Sequence, residues 1–90
     1  MRIRRTVVVR GRVQGVFFRG SAEQQARAVD VDGWIRNRPD GSVEAVFEGT
    51  PEAVETLVAW CRHGPRWARV DDLQVSQQPA AGLTGFEIRG

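Results

Sequence analysis

The stretch TVVVRGRVQGVFFRGSAEQQARA, Thr6 to Ala28, decides the fold. It opens on a β-branched run, Thr6-Val7-Val8-Val9, which favours a pleated strand. It ends on Ala22-Glu23-Gln24-Gln25-Ala26-Arg27-Ala28, which favours a helix. Between the two, GRVQGVFFR (Gly11 to Arg19) carries glycines four residues apart. Glycine lets the backbone curl until successive N–H groups point inward at an anion. Arg19 follows with a permanently charged planar fork. No acidic residue occurs among the first twenty-two positions, so a strand, an amide nest, an arginine and a helix follow one another in a positive field. Taken alone, the pattern also admits a plain structural turn. The P-loop and dinucleotide fingerprints are both absent.

Outward from this stretch the hydrophobic period alternates between two and three-to-four. Strand one is expected over Arg4–Arg10, with Ile3, Val7 and Val9 on one face. Helix one is expected over Gly20–Val29, with Ala22, Ala26 and Val29 on its apolar side. Gly33–Asn37 reads as strand two, Arg38-Pro39-Asp40-Gly41 as a turn, and Val43–Glu48 as an alternating strand three. Thr50 caps helix two, Pro51 takes its first position, and Val54, Leu57, Val58 and Cys61 form its stripe until Gly64-Pro65 stops it. Strand four covers Val70–Gln77, with Leu73 and Val75 on one face. A Pro79–Gly82 loop then leads to a short last strand holding Phe86 and Ile88. The order β-α-β-β-α-β plus a short C-terminal strand predicts an α+β, ferredoxin-like split βαβ sandwich: an antiparallel sheet with two helices on one face. Residues 1–90 are expected to form one domain.

Composition narrows the classes. The 41% hydrophobic content is enough for one core without metals or disulfides. The single cysteine, Cys61, fits a reducing compartment, and no apolar run approaches the roughly 20 residues of a membrane span. No signal peptide is recognisable, so a soluble cytoplasmic protein is expected; it is also expected to be a monomer. The net charge is +2, and all 13 basic residues are arginine.

GRVQGVFFR, the asparagine of GWIRN 18 residues after Arg19, DGSVE and GPRWARV resemble, in that order, the acylphosphatase family over nearly the whole chain. The resemblance implies hydrolysis of acyl phosphates, carboxyl-phosphate mixed anhydrides, to a carboxylate and inorganic phosphate. It assigns phosphate binding to Arg19 with the loop amides of Gln14, Gly15, Val16, Phe17, Phe18 and Arg19, and the holding of the attacking water to Asn37. The sequence departs from the family pattern in places. Phe17 stands where a small residue is common, its ring expected to pack or to wall the acyl group. Asp30 stands where glycine is usual after helix one, and aspartate tolerates the left-handed conformation. Gly20 and Ser21 are smaller than usual and are expected to loosen the start of helix one.

The chemistry of the residues agrees. Phosphoryl transfer to water is mostly positioning and charge stabilisation. A carboxamide orients water without exchanging a proton. No residue of the site titrates near neutral pH, which suits a carboxylate leaving group and not an alkoxide. The expected partners are a small acyl phosphate and inorganic phosphate, with no cofactor, metal, nucleic acid or membrane. Cys61 reads as core and His63 as a helix-terminal residue; Asp40 belongs to a turn, and Asp71-Asp72 lacks a third clustered ligand. Trp34, Trp60 and Trp67 read as packing or rim residues. The rival readings are a non-catalytic ferredoxin-like module binding an anion or nucleic acid, and a relative of the acylphosphatase-like domains of larger carbamoyl-transfer proteins. Against the nucleic-acid reading, strand three carries Glu44 and Glu48 in place of the aromatic-glycine consensus of RNA recognition domains.

Overall fold

Valine-rich β1 (Ile3–Arg12) is the strand around which the sheet is built. In the computed structural model, which describes residues 1–90, α1 (Phe18–Ala28), β2 (Asp32–Asn37), β3 (Val43–Gly49), α2 (Pro51–Cys61), β4 (Arg69–Gln78) and β5 (Phe86–Arg89) follow in order. The sheet order is β4-β1-β3-β2-β5. β1 pairs antiparallel with β3 and β4, and β2 pairs antiparallel with β3. The expected split βαβ sandwich is thus present, with one refinement. β5 joins β2 in parallel, so the sheet as a whole is mixed.

The elements form where the residues dictate. Ile3, Val7 and Val9 of β1, Ile35 of β2, and Val43, Ala45 and Phe47 of β3 are buried in one cluster with Phe18, Ala22 and Ala26 of α1 and Val54, Leu57, Val58 and Cys61 of α2. Side chains two apart on a strand and three or four apart on a helix meet in a single layer between sheet and helices. α2 starts as expected: the Thr50 side chain accepts the Ala53 N–H (3.3 Å), and Pro51 occupies the first turn. β1 runs past its expected end because its pairing with β4 continues through a bulge between Arg10 and Gly11. Gly11, at φ 131°, lets the two backbones close in, since a Cβ there would lie 2.2 Å from the Arg69 carbonyl oxygen.

Glu48 departs from simple alternation. It lies on the sheet face away from the helices, yet it is fully buried. The connection before β5 folds over it, and its carboxylate accepts the N–H groups of Ala81 (2.8 Å), Gly82 (2.9 Å) and Leu83 (2.9 Å). Arg2 lies 3.5 Å from the same carboxylate and pairs with Asp32 at 2.7 Å. Burial opposes the charge on Glu48. The N–H groups of Ala81, Leu83 and Gly82, with Arg2, outweigh it and hold the carboxyl below the usual range. Asp32 in turn accepts the Gly85 N–H (2.9 Å), and β5 is thereby delivered to the edge of β2.

Candidate functional site

The loop between β1 and α1 turns on two residues in the left-handed region. Gly15 has φ 74°, and Phe17, the N-cap of α1, has φ 61°. Glycine accepts this conformation freely, whereas phenylalanine holds it at a cost on the order of 1 kcal/mol. The helix therefore begins at Phe18, two residues before its expected start. Phe18 anchors that start: its ring is buried, packs edge-on against Trp60 at 5.1 Å, and fills space that a Cβ at Gly64 would contest at 2.5 Å. Val16 is also buried and ties the loop to the core. The expected loosening of α1 at Gly20 and Ser21 is not seen, because Ser21 donates to the Phe17 carbonyl (3.1 Å) and closes the first turn.

Between these anchors the backbone donors are free. None of the turn, loop and cap hydrogen bonds has its donor among the N–H groups of residues 14 to 20, and no side chain caps α1. The first N–H groups of a helix carry partial positive charge and point outward along its axis. Here they follow directly on the curled loop, whose own donors are likewise without loop or cap acceptors.

Gln14 ties this loop to a second one. Its Nε2 donates to the carbonyls of Arg38 (2.8 Å) and Ser42 (2.9 Å) in the turn that follows Asn37. The turn is itself rigid. Arg38 N–H donates to Ser42 O (2.8 Å), and Asp40 Oδ1 accepts from both Ser42 N–H (3.0 Å) and Ser42 Oγ (2.6 Å). The Ser42 hydroxyl, followed by the Ser42 N–H, holds the Asp40 carboxyl below the usual range. Asn37 ends β2 opposite Val43, one residue before this turn.

A cleft of about 280 Å³ opens here, lined by Val13, Gly15, Phe17, Phe18, Arg19, Gly20, Asn37 and Ile88. Of the residues singled out from sequence, Gly15, Phe17, Phe18, Arg19 and Asn37 share it. Gln14 and Val16, in the same loop, do not line the cleft. Arg19 and Asn37 are both half-buried. No carboxylate pairs with Arg19, although eight other ion pairs form across the molecule. Arg4 Nε is the sole buried side-chain polar atom without a partner, so the polar groups of Arg19 and Asn37 are not sealed in the core. Val13, Gly20 and Ile88 line the cleft without being candidate site residues from sequence. The sequence places Ile88 in the short last strand, and the parallel β2–β5 pairing brings it to the cleft.

The residues set aside stay outside the cleft. Cys61 is buried, and burial pushes its thiol up to about 12, which leaves it inert as a nucleophile. His63 is exposed beyond α2. Trp60 packs on Phe18, and Trp34 lies under Arg89 at 4.8 Å. Asp30 adopts φ 58°, the left-handed conformation expected of it.

The family model described as acylphosphatase matches residues 5–88. An acylphosphatase of Rubrobacter xylanophilus is 56% identical over 84 residues, 92% of this chain and 76% of the relative. One from Thermococcus kodakarensis is 49% identical over 89 residues, covering 99% of this chain and 98% of the relative. The crystal structure of acylphosphatase from Bacillus subtilis superposes with a TM-score of 0.94 at 32% identity, covering 98% of this chain and 99% of that one. Sequence pattern, sheet order and these likenesses agree, and the chain belongs to the acylphosphatase family of acyl-phosphate hydrolases.

Proposed function

We propose that hydrolysis takes place in the cleft between the β1–α1 loop and the end of β2, with Arg19 and Asn37 in separate roles. The amides of residues 14 to 19 and the Arg19 guanidinium hold the phosphoryl oxygens of an acyl phosphate. Asn37 accepts from, or donates to, a water and aims it at phosphorus from the side opposite the acyl oxygen. Water attacks, the P–O bond to the acyl group breaks, and the carboxylate leaves with the bonding electron pair. The proton lost by the water passes to a phosphoryl oxygen. Negative charge on the phosphoryl group meets fixed donors throughout, which is the contribution preorganised dipoles make to such a step.

One observation carries this reading. Arg19 has no carboxylate partner and the neighbouring amides have no loop or cap acceptor, while Asn37 opens on the same cleft. A cation and a set of converging N–H groups left without internal partners are what a phosphoryl dianion requires. The leaving carboxylate is a weak base, so the step needs no general acid, metal or cofactor. The reading further has residues 1–90 acting as one monomeric domain in the cytoplasm without nucleic acid. One buried cysteine supports the reducing compartment, and no helix is long and apolar enough to cross a membrane.

The test is phosphate release from a synthetic aryl acyl phosphate with a chelator present, for the wild type and Arg19→Lys. Lysine keeps the charge but not the fork, so transition-state stabilisation falls by about 2–4 kcal/mol, roughly 30- to 800-fold in rate. Near-normal turnover of a folded Arg19→Lys variant overturns the assignment.

A further inference from the structure

Phe17 is an unusual residue to leave in water. It is 68% exposed, and Ile88, 41% exposed, joins it on the cleft that holds Arg19 and Asn37. The two come from different elements, the α1 N-cap and β5, so the cleft joins a polar group of residues to an apolar pair. The Phe17 ring also lies against Gly20. A Cβ on Gly20 would fall 2.4 Å from two of its ring carbons, so the ring lies over the bare backbone of the first helical turn. Any larger residue at position 20 would push the ring off this seat, and Gly20 is therefore part of the device.

We infer that Phe17, seated on Gly20 and joined by Ile88, is a specificity-determining wall that favours acyl phosphates with aromatic or extended apolar acyl groups over acetyl-sized ones. The inference rests on the acyl-phosphate reading of the cleft. With the phosphoryl group held by Arg19 and the loop amides, in-line attack by a water at Asn37 directs the leaving carboxylate away from that water. The acyl group then has to occupy cleft space not taken by the phosphate donors, and the apolar surface available there belongs to Phe17 and Ile88. A flat acyl group covering the ring removes exposed apolar surface from water on both partners and adds the preference of aromatic rings for offset or edge contacts. An acetyl group is too small to cover it. Phe17 donates its amide to the cradle and its ring to the acyl group, so a change of side chain separates the two.

The experiment compares kcat/KM for benzoyl phosphate and acetyl phosphate in the wild type, Phe17→Gly and Gly20→Ala. The ratio of the two substrates divides out any loss common to both. Glycine keeps the left-handed backbone at position 17 while deleting the ring, and alanine at position 20 displaces the ring without deleting it. The expected result is a benzoyl-over-acetyl preference in the wild type that falls about 5- to 10-fold in Phe17→Gly and by a smaller factor in Gly20→Ala. Wild-type preference retained in both variants overturns the inference. Should the wild type hydrolyse neither substrate, or Arg19→Lys hydrolyse both unimpaired, it is the acyl-phosphate reading of the cleft that fails instead.

Discussion

Gln14 gives the sharpest perturbation, because one side chain joins the β1–α1 loop to the turn that follows Asn37. Gln14→Ala removes two neutral hydrogen bonds, to Arg38 O at 2.8 Å and Ser42 O at 2.9 Å. Neither acceptor is orphaned. Arg38 O still receives the Gly41 N–H (3.1 Å), and Ser42 O still receives the Arg38 N–H (2.8 Å). The cost therefore stays near about 1 kcal/mol per bond, about 2 kcal/mol in all. For a domain of this size that lowers the melting temperature by roughly 8–16 °C. Turnover should fall further than stability implies, since a shift of about 1 Å between reacting groups costs on the order of 100-fold. Gln14→Glu should be worse than alanine at neutral pH. Its carboxylate keeps the shape but offers only acceptors to two carbonyls, and acidification restores a single donor. Thermal unfolding by circular dichroism and steady-state phosphate release measure both effects. A Gln14→Ala variant with wild-type melting temperature and turnover, or a Gln14→Glu variant as active as alanine at neutral pH, would show that Gln14 does not tie the two loops together.

Other perturbations separate the remaining parts. Asn37→Ala should lose about 100-fold or more in turnover, while inorganic phosphate inhibits with similar affinity. A parallel collapse of phosphate affinity would mean that Asn37 binds phosphate instead of water. Glu48 predicts an acid limb in stability. Its folded pKa lies below the unfolded one, so its contribution is complete above the unfolded value and is lost as pH falls through the folded value. Glu48→Gln should cost about 2–4 kcal/mol at neutral pH and flatten that limb. Denaturant unfolding measured between pH 3 and 7 decides it, and an unchanged acid limb in the variant counts against the clamp.

Local chemistry made most of the frame legible. Thr50 and Pro51 mark the start of α2, Val43, Ala45 and Phe47 mark the inner face of β3, and Asp30 tolerates its left-handed turn, all from neighbours in sequence. Gly15, Arg19 and Asn37 point to one chemistry by residue type and order, and the fold brings them to one cleft. What escaped depends on contacts distant in sequence. α1 starts at Phe18 because that ring finds Trp60 on the other helix. β5 runs parallel to β2 because Glu48 and Asp32 capture backbone donors of the preceding loop. Ile88 reaches the cleft only through that pairing. Alternation groups Val75 with Leu73. It remains 42% exposed because β4 is an edge strand. The Phe17 seat is a further case, since glycine at position 20 suggests looseness until the ring is seen to lie over it.

The central claim is that water attacks phosphorus within the cradle. The most direct measurement is hydrolysis of benzoyl phosphate in water enriched in oxygen-18, with both products analysed by mass spectrometry. Attack at phosphorus breaks the bond between phosphorus and the acyl oxygen, so the account predicts one solvent oxygen in each inorganic phosphate and none in benzoate. Label appearing in benzoate would place the attack at the carbonyl carbon and contradict the account.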